Sequence, residues 1–165
     1  MTVVGVENKE QVITAVQRAI DVYGVKKDEL IPILNHINRE IGYLPDWALE
    51  ELSRVIRIPQ SQIYSVASFY EMLSTRPVGK HIIRICESAP CHVMGGKQVF
   101  QTLLEELKIQ PGETTPDKNW TLLTVSCLGI CGVGPAMVID DDSYGNLTPT
   151  QIPQILAKYQ NGGAQ

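Results

Sequence analysis

The residues with the clearest capacity for chemistry are four cysteines in the second half of the chain. They form two close pairs, Cys86-x4-Cys91 and Cys127-x3-Cys131, with 35 residues between the pairs. A binuclear iron–sulfur cluster needs two thiolates on each tetrahedral iron, the remaining positions being filled by bridging sulfides. Two short-looped pairs suit that demand, because each loop is long enough to bite one metal. The spacing therefore predicts one [2Fe–2S] cluster held by Cys86, Cys91, Cys127 and Cys131, with the first pair on one iron and the second pair on the other.

Two other chemistries use cysteines in this way. Structural zinc sites commonly use tighter Cys-x2-Cys knuckles, and these loops are wider. Dithiol exchange uses Cys-x-x-Cys at a helix start, a motif the chain lacks. His92 follows Cys91 directly, but four thiolates already complete the coordination of a [2Fe–2S] centre, so a Rieske-type histidine ligand is not called for. Around the second pair, Gly129, Gly132 and Gly134 allow backbone amides to approach sulfur closely, and Gly95 and Gly96 offer the same after Cys91 at a helix start.

Elements must bring the two pairs together. Lys80 to Cys86 reads as a strand running into the first loop, and Trp120 to Ser126 as a second strand running into the other, so neighbouring strand ends would place all four thiols at one sheet edge. Gly95 to Leu107 reads as a helix between them, with Val99, Leu103, Leu104 and Leu107 on its buried face. Ala136 to Ile139 is a third strand. Asp140 to Asn146 has the composition of a hairpin turn before a short fourth strand near Leu147, and a final helix covers about Thr148 to Tyr159.

The first half has a different period. Val12, Val16, Ile20 and Tyr23 recur at helical spacing, with Asn8 and Gln11 as a cap and Gly24 as a stop. A second helix after Asp28 carries Leu30, Ile33, Leu34, Ile37 and Ile41 and ends at Gly42. A third uses Leu49, Leu52, Val55 and Ile56, and a fourth from Pro59 uses Ile63, Val66, Ala67, Tyr70 and Leu73. The sequence thus predicts an α+β protein with a helical bundle over residues 1–77 and a mixed sheet with flanking helices over residues 78–165.

A formal net charge of −4, a pI near 5.3 and only 14 scattered Lys and Arg argue against a nucleic-acid partner, which needs a clustered basic surface. Hydrophobic residues make up 44% and charged residues 19%, as in an ordinary folded domain. Apolar runs fall far short of the ~20 residues that cross a bilayer, and the first residues lack the pattern of a secretory signal, so the expectation is a cytoplasmic chain without direct membrane insertion. In a reducing compartment four cysteines are expected as thiolates rather than disulfides. With no G-x-G-x-x-G after a strand, nicotinamide and flavin are expected on another chain.

The pattern resembles the 24 kDa subunit of respiratory complex I and its relatives in NAD-linked, including electron-bifurcating, hydrogenases and formate dehydrogenases. In the first half the likeness is carried by Leu30-Ile31-Pro32-Ile33-Leu34, Gly42-Tyr43-Leu44-Pro45 and Val66-Ala67-Ser68-Phe69-Tyr70. In the second half it is carried by Cys86-x4-Cys91 and Cys127-Leu128-Gly129-x-Cys131, which match every ligand position of that family. Gly134 before Pro135 departs from a more familiar alanine.

The resemblance implies a thioredoxin-like [2Fe–2S] ferredoxin domain behind a helical docking domain. It implies a partner subunit that binds FMN and NAD(H), further iron–sulfur subunits, and one-electron relay with no substrate site on this chain. A free-standing ferredoxin and a zinc-stabilised structural subunit are the alternatives.

Other residues are read as structural. His36 and His81 are expected on surface or packing positions, Asp140-Asp141-Asp142 as a solvated turn without the spacing of a calcium loop, and Met72, Met94 and Met137 as packing residues. Trp120 and Tyr144 have no partner identifiable from sequence.

Overall fold

The computed structural model describes residues Lys9–Gln160, and the chain divides into two compact units between Lys80 and His81. The expected Asn8 cap lies outside the described residues.

The first unit contains helices α1 (Lys9–Tyr23), α2 (Leu30–Ile41), α3 (Asp46–Ile56) and α4 (Gln60–Phe69). Apolar residues at three- and four-residue spacing give each helix one stripe to bury. Val12, Val16 and Ile20 of α1, Ile33, Leu34 and Ile37 of α2, and Leu49 and Leu52 of α3 form a single core with Ile63 and Ala67 of α4. Gly42, in left-handed conformation at φ 96°, closes α2 with its N–H on the Asn38 carbonyl.

The fourth helix is shorter than its periodicity suggests. It stops at Phe69, and Tyr70 is extended, yet Leu73 is buried and Tyr70 packs on the same core. The reason is a tether back onto the bundle: Leu44 N–H donates to the Ser74 carbonyl at 2.6 Å, and Ser74 N–H donates to Asn38 Oδ1 at 3.0 Å. The helical pattern therefore continues into a turn whose backbone bonds go elsewhere.

The second unit holds strands β1 (His81–Cys86), β2 (Trp120–Val125), β3 (Met137–Ile139) and β4 (Asp142–Tyr144) in the order β2-β1-β3-β4. Strands β1 and β2 are parallel, with His81 opposite Trp120 and Cys86 opposite Val125; β3 pairs antiparallel with β1, and β4 antiparallel with β3. Between β1 and β2 the chain forms a short helical turn, α5 (Ala89–Cys91), a wider turn over His92–Gly96, and α6 (Lys97–Leu107). The final helix α7 (Ile152–Gln160) follows a Thr148 to Gln151 capping box. Ile83, Ile85, Leu122, Met137 and Ile139 from the sheet share one core with Val99 and Leu103 of α6 and Ile152 and Leu156 of α7.

Two local expectations are corrected. Helical backbone begins at Ala89 rather than Gly95, because Pro90 is compatible with a first helical turn. The fourth strand lies within the segment read as a turn, since the reversal is confined to Asp140 and Asp141, with Asp140 at φ 53°. Asp140 and Asp141 form an exposed turn as expected, and Asp140 and Asp142 also act as anchors. Asp140 Oδ1 accepts the Ile82 N–H at 2.9 Å and its Oδ2 lies 2.7 Å from His81 Nδ1. Asp142 accepts the Tyr159 hydroxyl at 2.6 Å, and Tyr159 in turn meets the Tyr144 hydroxyl at 2.8 Å. Burial, then the bond to Asp142, pushes the Tyr159 phenol well above its ordinary pKa. His81 and Trp120 both pack against Tyr159, at ring separations of 5.1 and 5.8 Å.

Leu34 and Val22 provide a direct test of the bundle. Leu34 is fully buried and Val22 is 64% exposed. Leu34→Ala is expected to destabilise the bundle by about 2–5 kcal/mol, and Val22→Ala to stay within about 0.5 kcal/mol of the parent, both read from urea unfolding followed by helical circular dichroism.

Candidate functional site

Parallel pairing of β1 with β2 decides where the cysteines lie. Cys86 is the last residue of β1, and Cys127 comes two residues after the end of β2, so both loops leave the same end of the sheet. The junction is pinned on both sides of β1: Cys86 N–H donates to the Ala136 carbonyl at 3.1 Å and Glu87 N–H to the Val125 carbonyl at 3.1 Å. Cys86 and Cys91 are buried, whereas Cys127 and Cys131 are exposed. Cys86 and Cys91 form a small apolar cluster with Ala136, flanked by Leu128 and Ile130.

Cys127 Sγ and Cys131 Sγ are 3.8 Å apart, and the thiols of Cys86 and Cys91 lie near enough to shift one another's pKa. Charge interactions also run between the pairs, from Cys86 to Cys127 and Cys131 and from Cys91 to Cys131. No disulfide joins any of them. Among the described residues no three His, Cys, Asp or Glu side chains are grouped to hold a single metal ion. A binuclear centre places no such demand, because each iron takes only two protein thiolates.

The surroundings split the four thiols into two kinds. Burial raises the Cys86 thiol, but hydrogen bonds from the Ser88 N–H, the Cys91 thiol and the Leu128 N–H outweigh it and leave it below its ordinary pKa. Cys127 is lowered chiefly by the Gly129 N–H, which reaches its sulfur at 3.3 Å, and then by the Cys131 thiol and the Ser88 hydroxyl. Cys91 is raised by burial and by Cys86, against a bond from the Ala136 N–H. Cys131 is raised by its contact with Cys127. Each pair thus has one thiol shifted down and one shifted up by its surroundings.

The donor set fits a thiolate-ligated cluster. Gly129 takes φ 81°, a left-handed conformation in which its N–H turns onto Cys127. Gly134 leaves room beside the buried sulfur: a Cβ there would lie 3.2 Å from Cys91 Sγ and 3.4 Å from Met94 Sδ. The alanine familiar at this position would need small adjustments here. From the other side the β4 turn braces the loop, with Asn146 N–H on the Val133 carbonyl at 2.5 Å and Leu147 N–H on the Pro135 carbonyl at 3.1 Å.

Of the glycines singled out in the sequence, Gly129 carries a sulfur-directed amide. The remaining donors, at Ser88, Leu128 and Ala136, have no compositional signature, since any non-proline residue supplies an N–H. Met137 is buried as expected, but Met72 and Met94 are 58% and 51% exposed rather than packed. His36 stays on the bundle, edge-on to Tyr23. His81 is a packing residue that has acquired a carboxylate partner.

Known proteins resemble this chain in sequence and in fold. The chain is 38% identical over 146 residues to the E subunit of NADH-quinone oxidoreductase from Escherichia coli (strain K12), covering 88% of each chain. It is 41% identical over 130 residues to the corresponding protein of Salmonella typhimurium (strain LT2), covering 79% of this chain and 78% of that one. Among solved structures, the NAD+-reducing [NiFe]-hydrogenase in its H2-reduced state aligns with a TM-score of 0.71 and 25% identity over 82% of this chain and 23% of the hydrogenase chain. These relatives bear out the resemblance read from the motifs. The model of the thioredoxin-like [2Fe–2S] ferredoxin family matches residues 16–160, and the chain belongs to that family.

Proposed function

We propose that this chain is the [2Fe–2S] electron-transfer subunit of a multi-subunit NAD(H)-dependent oxidoreductase, with Cys86, Cys91, Cys127 and Cys131 as the cluster ligands. The observation that carries the reading is the meeting of two cysteine pairs at one end of the parallel β1–β2 pair, with N–H groups directed at their sulfurs. When bound, the cluster supplies one-electron redox chemistry. This chain's own residues hold it and set its surroundings. Cys86 and Cys91, which are buried, would hold one iron, and Cys127 and Cys131, which are exposed, would hold the other.

The N–H groups of Ser88, Leu128, Gly129 and Ala136 face sulfur, where they favour negative charge on the ligands. The exposed side of Cys127 and Cys131 is the shorter route to an external redox partner. Hydride chemistry belongs to a partner subunit carrying FMN and NAD(H), and further iron–sulfur subunits continue the relay. Residues 78–165 form the ferredoxin domain and residues 1–77 a helical docking domain; exposed Tyr64, Phe69 and Met72 give the latter apolar surface for a partner. Four unpaired thiols suit the reducing cytoplasm. Among the described residues no helix is long and apolar enough to cross a membrane.

Iron and acid-labile sulfide, assayed on anaerobically purified protein, should each approach about two per chain. Cys127→Ser should lose most of both; zinc without labile sulfide in the parent would overturn the assignment. Gly129→Ala forces a Cβ into a left-handed position at a cost of roughly 1–2 kcal/mol and misdirects the amide on Cys127. Its expected signature is lower iron and sulfide content with unchanged helical circular dichroism. Recovery of a flavoprotein with the affinity-purified native chain is expected if the chain works inside a larger assembly, whereas purification as a lone coloured protein from the native host would favour a free-standing carrier.

A further inference from the structure

Gly145 directly follows β4, and its backbone is not in the left-handed region that most often calls for a glycine. Space calls for it instead. A Cβ at Gly145 would lie 2.7 Å from Val133 Cγ2, 2.8 Å from Val133 Cβ and 2.9 Å from the Val133 carbonyl oxygen. Non-bonded carbon atoms prefer about 3.5–4.0 Å, so no side chain fits there without moving something. The chain leaving β4 thus lies against the backbone two residues beyond Cys131, and the Asn146 N–H holds it there by donating to the Val133 carbonyl at 2.5 Å.

Neither side of this contact gives easily. Val133 ends the tight turn Cys131–Val133. Its N–H donates to the Ile130 carbonyl at 3.1 Å, and the Gly134 N–H donates to the Cys131 carbonyl at 3.2 Å. A shift of the Val133 backbone therefore carries Cys131 with it. The Val133 side chain is β-branched and stiff at χ1, so the atoms facing Gly145 are not the tip of a flexible chain. Strand β4 is fixed in turn by the pairing of Tyr144 with Met137 and by the Tyr144 hydroxyl, 2.8 Å from that of Tyr159 in α7. Through Gly134, where a Cβ would stand 3.2 Å from Cys91 Sγ, the same turn also meets the buried pair.

Resting on the reading that the four cysteines hold a [2Fe–2S] cluster, we infer that Gly145 is a positioning residue for it. By lacking a Cβ, Gly145 lets the anchored end of β4 seat the Cys131 turn and so fixes where the exposed thiol pair stands relative to the buried one. A binuclear centre joined by bridging sulfides has a set size, and its two ligand pairs must be held at a matching separation. One methyl group at residue 145 displaces Val133, and the turn's own hydrogen bonds pass the displacement to Cys131.

The test measures Gly145→Ala in the full chain and again in a Val133→Gly background, which removes both side-chain atoms that the new methyl would meet. Iron and acid-labile sulfide are assayed on anaerobically purified samples, the reduced cluster is followed by electron paramagnetic resonance, and iron release to a chelator is timed. Gly145→Ala is expected to release iron about fivefold faster or more, the scale of an overpacked contact, and to alter the resonance signal at unchanged helical circular dichroism. In the Val133→Gly background the same substitution should have a clearly smaller effect. A fully loaded Gly145→Ala protein with the parent signal and release rate would overturn the inference while leaving the cluster assignment standing. An equal effect in both backgrounds would overturn it too. A parent protein without iron and sulfide would overturn the cluster reading and this inference with it. If Gly145→Ala does not fold, the double variant decides: a folded, loaded protein supports the contact, and failure of both overturns it.

Discussion

The parallel pairing of β1 with β2 is the constraint on which the rest of the second unit depends. Parallel strands cannot be joined by a tight hairpin, so the chain must leave β1 at one end of the sheet and cross back before starting β2. That crossover is filled by α5, the wider turn and α6. Its consequence is that β1 and β2 end on the same side, and cysteine pairs separated by 35 residues in sequence become neighbours. A register shift of one residue would turn Ile83 and Ile85 out of the core and move Cys86 from its own face to the opposite one. The same apolar alternation that holds the sheet therefore fixes the origin of the first cysteine loop.

Four thiolates close together repel one another, and the fold answers with donors rather than with cationic side chains. The leading hydrogen-bonding influences on the four cysteines are peptide N–H groups, neighbouring thiols and the Ser88 hydroxyl. Peptide dipoles stabilise charge without adding a full positive charge. They are also positioned by the backbone itself, so their direction costs no side-chain entropy when a metal centre is held.

Much of this is legible in the sequence, and the reasons differ by element. The cysteine pairs are legible because thiolate chemistry restricts both residue type and spacing. Helix α2 is legible because one stripe of Leu and Ile runs from Leu30 to Gly42. The end of α4 is not, because Tyr70 and Leu73 keep the helical period while tertiary bonds between Leu44, Asn38 and Ser74 take over the backbone. The aspartate run is legible as an exposed turn but not as an anchor. Composition marks Asp140 and Asp142 as turn formers, but their partners, His81 and Tyr159, come from distant elements. The sulfur-directed amides are hidden because a backbone N–H carries no residue identity, and Ser88 is hidden because a lone serine has no spacing to betray it.

The anchors that sequence missed reinforce the side of the sheet with two very short strands. Strands β3 and β4 contribute only three residues each, whereas β1 pairs with β2 along six. Asp140 bonds the β1 backbone at Ile82, and its partner His81 packs with Trp120 and Tyr159. Tyr159 ties α7 to β4 through Asp142 and Tyr144. These contacts lie at the start of β1, and the cysteines lie at its end. Rigidity gathered at one end leaves the other free of bulky packing around Cys127 and Cys131, which are exposed while Cys86 and Cys91 are buried.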